Sequence, residues 1–127
     1  MPRLELEDIL ALHEDLVRSY GGTPGILDLN RLLAALERPW AGFGGVELYP
    51  TPAEKAAAYL AGIAKGHPFL DGNKRTAFAA AEVFLRIEGY RLRLNNEEAF
   101  DLVLEVAQCR LEVEEVAQVL AEHLEAP

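Results

Sequence analysis

Residues 51–66, Thr-Pro-Ala-Glu-Lys-Ala-Ala-Ala-Tyr-Leu-Ala-Gly-Ile-Ala-Lys-Gly, constrain the fold more than any other stretch of the chain. Thr51 is a favoured N-cap, Pro52 suits the first turn, and Glu54 stands at the capping-box position. Ala56, Tyr59, Leu60 and Ile63 follow at helical spacing, and Gly66 is a stop. The alanines leave little side-chain bulk, so neighbouring helices can approach closely. Such a helix belongs at the centre of a bundle.

The rest of the chain has the same period. Leu6, Ile9, Leu10, Leu12, Leu16 and Val17 form a broad stripe over about residues 5–20, which Gly21-Gly22 stops. Asp28 predicts an N-cap for a helix carrying Leu29, Leu32, Leu33 and Leu36, ended before Pro39. A run from Thr76 reaches Glu88, with Gly89 as its stop. Tyr90 to Leu94 reads as a short extended segment, and two helices, about Asn96 to Gln108 and Val113 to Glu125, close the chain. Residues 39–50 are glycine-rich, aromatic and without helical period, which predicts a loop or short hairpin. The expectation is an all-α bundle of about six helices, one domain over residues 1–127.

With 127 residues, half of them hydrophobic, the chain can bury a real core without disulfides or metals. Its single cysteine, Cys109, excludes an internal disulfide and a Cys-based zinc site. The apolar helical setting of Cys109 predicts a buried, inert thiol. No segment is apolar for long enough to cross a bilayer, and the acidic start lacks a signal peptide's apolar centre. A soluble cytoplasmic protein is expected. A net charge of −9 argues against broad nucleic-acid binding, which needs a basic face.

Against that acidic background, residues 67–75 read His-Pro-Phe-Leu-Asp-Gly-Asn-Lys-Arg and lead into a helical run. The first N–H groups of a helix have no internal partner and form a ready anion site. Lys74 and Arg75 put two cations at the end of a helix where its dipole disfavours them, which calls for an anion. His67 can take a proton from an attacking hydroxyl. Asp71 can hold Mg²⁺, a hard ion that prefers carboxylate and phosphate oxygens. Gly72 lets backbone approach a ligand, and Asn73 is placed to cap the helix or to bind a phosphate oxygen. Phe69 and Leu70 are expected to anchor the loop in the core. Taken singly, each of these features is more often structural; together they describe a phosphate site with an imidazole and a carboxylate beside it. His13 and His123, in helices among charges, are expected at the surface or as caps.

This run resembles the signature of the Fic/Doc family, His-x-Phe-x-Asp/Glu-Gly-Asn-Gly-Arg in Fic enzymes and His-x-Phe-x-Asp-x-Asn-Lys-Arg in the Doc branch. Residues 22–28, Gly-Thr-Pro-Gly-Ile-Leu-Asp, and the helix after them also look like the early Doc-type segment, so the resemblance spans essentially the whole chain. It implies a six-helix Fic fold and an ATP-dependent transferase that modifies a protein hydroxyl. His67, Asp71 and Arg75 would be catalytic, and Gly72, Asn73, Lys74 and Arg75 would hold the nucleotide, with Mg²⁺ on Asp71. Phe43, Gly44, Gly45 and Val46 resemble the Fic flap, which holds a target peptide by strand addition.

Lys74 stands where AMP-transferring members carry glycine, and Phe78 stands where they carry a second arginine. Both favour the Doc branch, whose members are implied to transfer the terminal phosphate of ATP. Elongation factor Tu is the implied target class, and an antitoxin disordered until it binds is the implied partner. Gly72 instead matches the AMP-transferring pattern, so AMP transfer stays open as the alternative. A silent binding module that regulates transcription with a partner, and a metal-dependent nuclease, are weaker readings. The inhibitory motif of some Fic proteins is not apparent: beside Glu88-Gly89 the hydroxyl position is Phe84.

Overall fold

The computed structural model describes residues 2–126. Six α-helices, α1 (Leu6–Tyr20), α2 (Leu29–Glu37), α3 (Pro52–Gly66), α4 (Asn73–Ile87), α5 (Asn96–Ala107) and α6 (Val113–Glu122), are joined by short connections. A 3₁₀ turn, Arg38–Trp40, follows α2. Four two-residue strands, β1 (Gly42–Phe43), β2 (Val46–Glu47), β3 (Arg91–Leu92) and β4 (Leu124–Glu125), pair antiparallel as β1–β2 and β3–β4.

The alanine-rich helix is central, as its composition predicts. Ten of the fifteen residues of α3 are buried, and it packs against α2, α4, α5 and α6. At Gly62 even a Cβ would come within 3.0 Å of the Ala35 Cβ, so α2 crosses α3 almost backbone to backbone. Thr51 caps the helix by accepting from the Glu54 N–H at 3.2 Å. Its hydroxyl in turn donates to the Glu54 carboxylate at 2.8 Å, so the expected box closes side chain to side chain. Tyr59, wholly buried, accepts from the Trp40 indole N–H at 2.9 Å and from the Leu4 N–H at 3.1 Å. Burial raises the pKa of its phenol, so it stays neutral.

Asp28 caps α2 by accepting from the Arg31 N–H. Gly89 ends α4 in a Schellman motif, with the Tyr90 N–H on the Leu85 carbonyl and the Gly89 N–H on that of Arg86.

Three expectations fail here. Cys109 is exposed, because α5 stops two residues before it. It takes the left-handed position of another Schellman motif at φ 59°, with the Arg110 N–H on the Glu105 carbonyl. The last helix ends at Glu122 and does not reach Glu125: Leu124 and Glu125 instead pair with Leu92 and Arg91. His123 marks the change by donating from Nδ1 to the Val119 carbonyl at 2.8 Å. Leu70 is about half exposed, and of the two Phe69 is the one that anchors the motif loop in the core.

Residues 42–47 form the expected hairpin. Gly44 and Gly45 both have positive φ, 60° and 82°, which suits a two-residue turn whose twist matches the strands. Its side chains stand free, with Phe43 92% and Val46 71% exposed. Lys55 holds its base: the side chain is fully buried, and Nζ donates to Glu47 at 2.9 Å and to the Tyr49 carbonyl.

Candidate active site

The motif loop is fixed from both sides by backbone. Residues 25–28 run beside it, with the Leu27 and Asp28 N–H groups on the Pro68 carbonyl and the Leu70 N–H on the Gly25 carbonyl. Within the loop, buried Asn73 accepts from the Phe69 N–H and donates to the Phe69 carbonyl, each at 2.9 Å. Asn73 therefore braces the turn, and its expected role as a side-chain cap is corrected: it is the first residue of α4, and Gly72 is the N-cap.

His67 caps the C-terminus of α3 at φ 51°, ψ 53°, a left-handed conformation that costs a non-glycine residue about 1–2 kcal/mol. The side chain is exposed and lines a groove. Strain of this kind collects at functional positions.

Asp71 is exposed too, yet both its oxygens are engaged. Oδ2 accepts from the Thr23 N–H at 3.1 Å, and Oδ1 from the Gly72 N–H at 2.9 Å. These two bonds, with help from the Arg75 and His13 charges, hold its pKa below the ordinary aspartate value. The Thr23 bond needs Gly22 beside it: a Cβ there would lie 2.8 Å from Oδ2.

No side chain caps α4, and the Thr76 N–H is the first to return to a carbonyl, that of Gly72. The N–H groups of residues 73–75 are thus free of intrahelical partners. Among the described residues, neither Lys74 nor Arg75 has a carboxylate within ion-pair distance. The Arg75 guanidinium lies instead 4.6 Å from the centre of the Tyr20 ring. The groove they line has a volume of about 670 Å³ and is also lined by Leu94, Asn96 and Phe100.

Most of the predicted site residues therefore converge: His67, Asp71, Gly72, Asn73, Lys74 and Arg75 all line one groove. Phe43, Gly44, Gly45 and Val46 do not line it; they lie on the separate hairpin. Among the described residues no three His, Cys, Asp or Glu side chains cluster to hold a metal. Asp71, ionised and exposed, fits a Mg²⁺ ion that takes one carboxylate and draws its remaining oxygens from phosphates and water.

Sequence reasoning missed His13. It is buried rather than at the surface, stacks on Phe69 with ring centres 3.8 Å apart, and places Nε2 2.8 Å from the Asp71 carbonyl. Nothing in its local sequence announces this, because both partners lie more than 50 residues away.

The fold, the groove and the motif together define a six-helix domain whose motif loop and α4 start line one groove. Residues 3–85 match the Fic/DOC family. The chain is 40% identical to the protein called Toxin Doc in Mycolicibacterium smegmatis, over 93% of this chain and 90% of that one. It is 36% identical to the protein called Protein kinase doc in Escherichia phage P1, over 94% of each. This chain belongs to the Fic/Doc family.

Proposed function

We propose that this chain is a Doc-type protein kinase, the toxin of a toxin–antitoxin pair, which moves the terminal phosphate of ATP to a protein hydroxyl. The observation that carries the proposal is the junction of loop and α4: free N–H groups, two unpaired cations, an ionised Asp71 and an exposed His67 line one groove. The names of the two relatives support the same reading.

In this scheme the start of α4, Lys74 and Arg75 bind the triphosphate. They offset the charge that spreads over its oxygens as the bond to the leaving group loosens. Asp71 would hold Mg²⁺, which when bound would offset phosphate charge. His67 accepts the proton of the target hydroxyl. That oxygen bonds to the terminal phosphorus, the bond from phosphorus to the bridging oxygen breaks, and ADP leaves. The hairpin at Phe43 to Val46 presents the target segment by strand addition, and elongation factor Tu is the proposed target class. A cognate antitoxin that folds on binding would hold the toxin in check in the cytoplasm.

Phosphate transfer is favoured over AMP transfer by Lys74 and Phe78. Gly72 no longer argues the other way. Its φ of 74° is a conformation that favours glycine whichever phosphorus is attacked. Labelling a cell lysate with γ- and α-labelled ATP, using the wild type and His67→Ala, tests the scheme. Label on protein from the γ position only, lost in the variant, is expected. Transfer from the α position would make the enzyme an AMP transferase instead.

A further inference from the structure

His13 is a buried, hydrogen-bonded side chain against the motif loop that the proposed mechanism leaves unused. It comes from α1, and it touches the loop where the ionised carboxylate is set. A carbonyl oxygen can only accept, so Nε2 carries the proton and donates to Asp71 at 2.8 Å. The N–H of the same peptide unit, that of Gly72, donates to Asp71 Oδ1. The plane of the 71–72 peptide is thus held on its oxygen by His13 and ties down the carboxylate through its nitrogen. Gly72 is left-handed, and glycine accepts either orientation of the preceding peptide plane at little cost, so the plane needs an outside anchor. The stack on Phe69 fixes the imidazole, and Phe69 is itself wholly buried.

We propose that His13 is a positioning residue: it fixes the Asp71–Gly72 peptide plane, and so the Asp71 carboxylate, in the orientation that takes a divalent cation bound with nucleotide phosphate. This rests on the nucleotide reading above. It does not make His13 an acid, a base or a ligand, since its polar contact is with backbone.

The test separates cation binding from phosphate binding. A non-hydrolysable ATP analogue is titrated into the full chain by calorimetry, with Mg²⁺ and with chelator, and thermal unfolding checks each variant. His13→Phe keeps a ring for the stack and loses the donor, His13→Leu fills similar space without either, and His13→Gln returns a donor near the Nε2 position. In His13→Phe and His13→Leu the gain in affinity from Mg²⁺ should fall about tenfold, in line with the loss of one oriented hydrogen bond. Affinity without Mg²⁺, which depends on Lys74, Arg75 and the start of α4, should hold. His13→Gln should recover part of the gain. If Phe and Leu variants keep the full Mg²⁺ gain, or lose affinity equally with and without the ion, the positioning role is overturned while the nucleotide reading stands. A wild type that does not bind the analogue overturns both.

Discussion

At the scale of the residue, His67, the base of the proposed scheme, has an unfavourable backbone. Its left-handed conformation turns the end of α3 into the loop, and any L side chain there is strained. His67→Ala and His67→Gly should both abolish phosphate transfer, because both lack the base. They should differ in stability: the glycine variant relieves the strain and should unfold at higher denaturant, by about 1 kcal/mol relative to the alanine variant. Equal midpoints would mean that the position stores no strain. Asp71 makes a second prediction, on pH. Its folded pKa is depressed, so its bonds to Thr23 and Gly72 contribute stability above the unfolded value of about 3.9, and that contribution is lost as pH falls through the folded value. Melting temperature followed from pH 7 towards pH 3 should fall less steeply in Asp71→Asn than in the wild type. The identities of both residues were legible in the sequence because the motif is contiguous. The conformation of His67 was not, since it depends on where α3 runs out. The Thr23 bond to Asp71 was not either, since it spans 48 residues.

At the scale of the element, boundaries with their own capping residue were the easiest to read. Thr51, Asp28 and Gly89 carry local chemistry that caps a helix wherever it sits. The end of α5 at Ala107 is closed by Cys109 where glycine is usual, and the end of α6 at Glu122 has neither glycine nor proline and is followed by the β3–β4 pair. Cys109 fills a position that glycine favours, and its side chain is exposed, so Cys109→Gly should stabilise the protein by about 0.5–1 kcal/mol in equilibrium unfolding. A loss of stability would show that the thiol packs against something. The hairpin gives the functional counterpart. Lys55 grips Glu47 and the Tyr49 carbonyl from inside the core. Lys55→Met removes the grip and leaves a buried carbonyl unpaired, at a cost of about 1–3 kcal/mol. If the hairpin presents the target, this variant should raise the KM for the protein substrate and leave the KM for ATP unchanged. An effect on ATP alone would remove the hairpin from substrate binding.

At the scale of the whole molecule, the charge is arranged against its own average. The net charge is −9, yet the junction of loop and α4 gathers two cations with no acidic partner among the described residues. The bundle class was visible from period and alanine content. What assembles the site was not, because it requires α1, residues 22–28 and α5 to meet α4 across long sequence separations. If the proposed triphosphate docks at these cations, its binding should stabilise the entire fold. At a ligand concentration one hundred times Kd, linkage gives about 2.7 kcal/mol. For a chain of this size that corresponds to a rise in melting temperature on the order of 10 °C with Mg·ATP. Lys74→Ala with Arg75→Ala should remove most of the rise. His67→Ala should keep the rise, since the proposed scheme gives it proton transfer and not binding. A rise that survives loss of both cations would place the triphosphate elsewhere on the molecule.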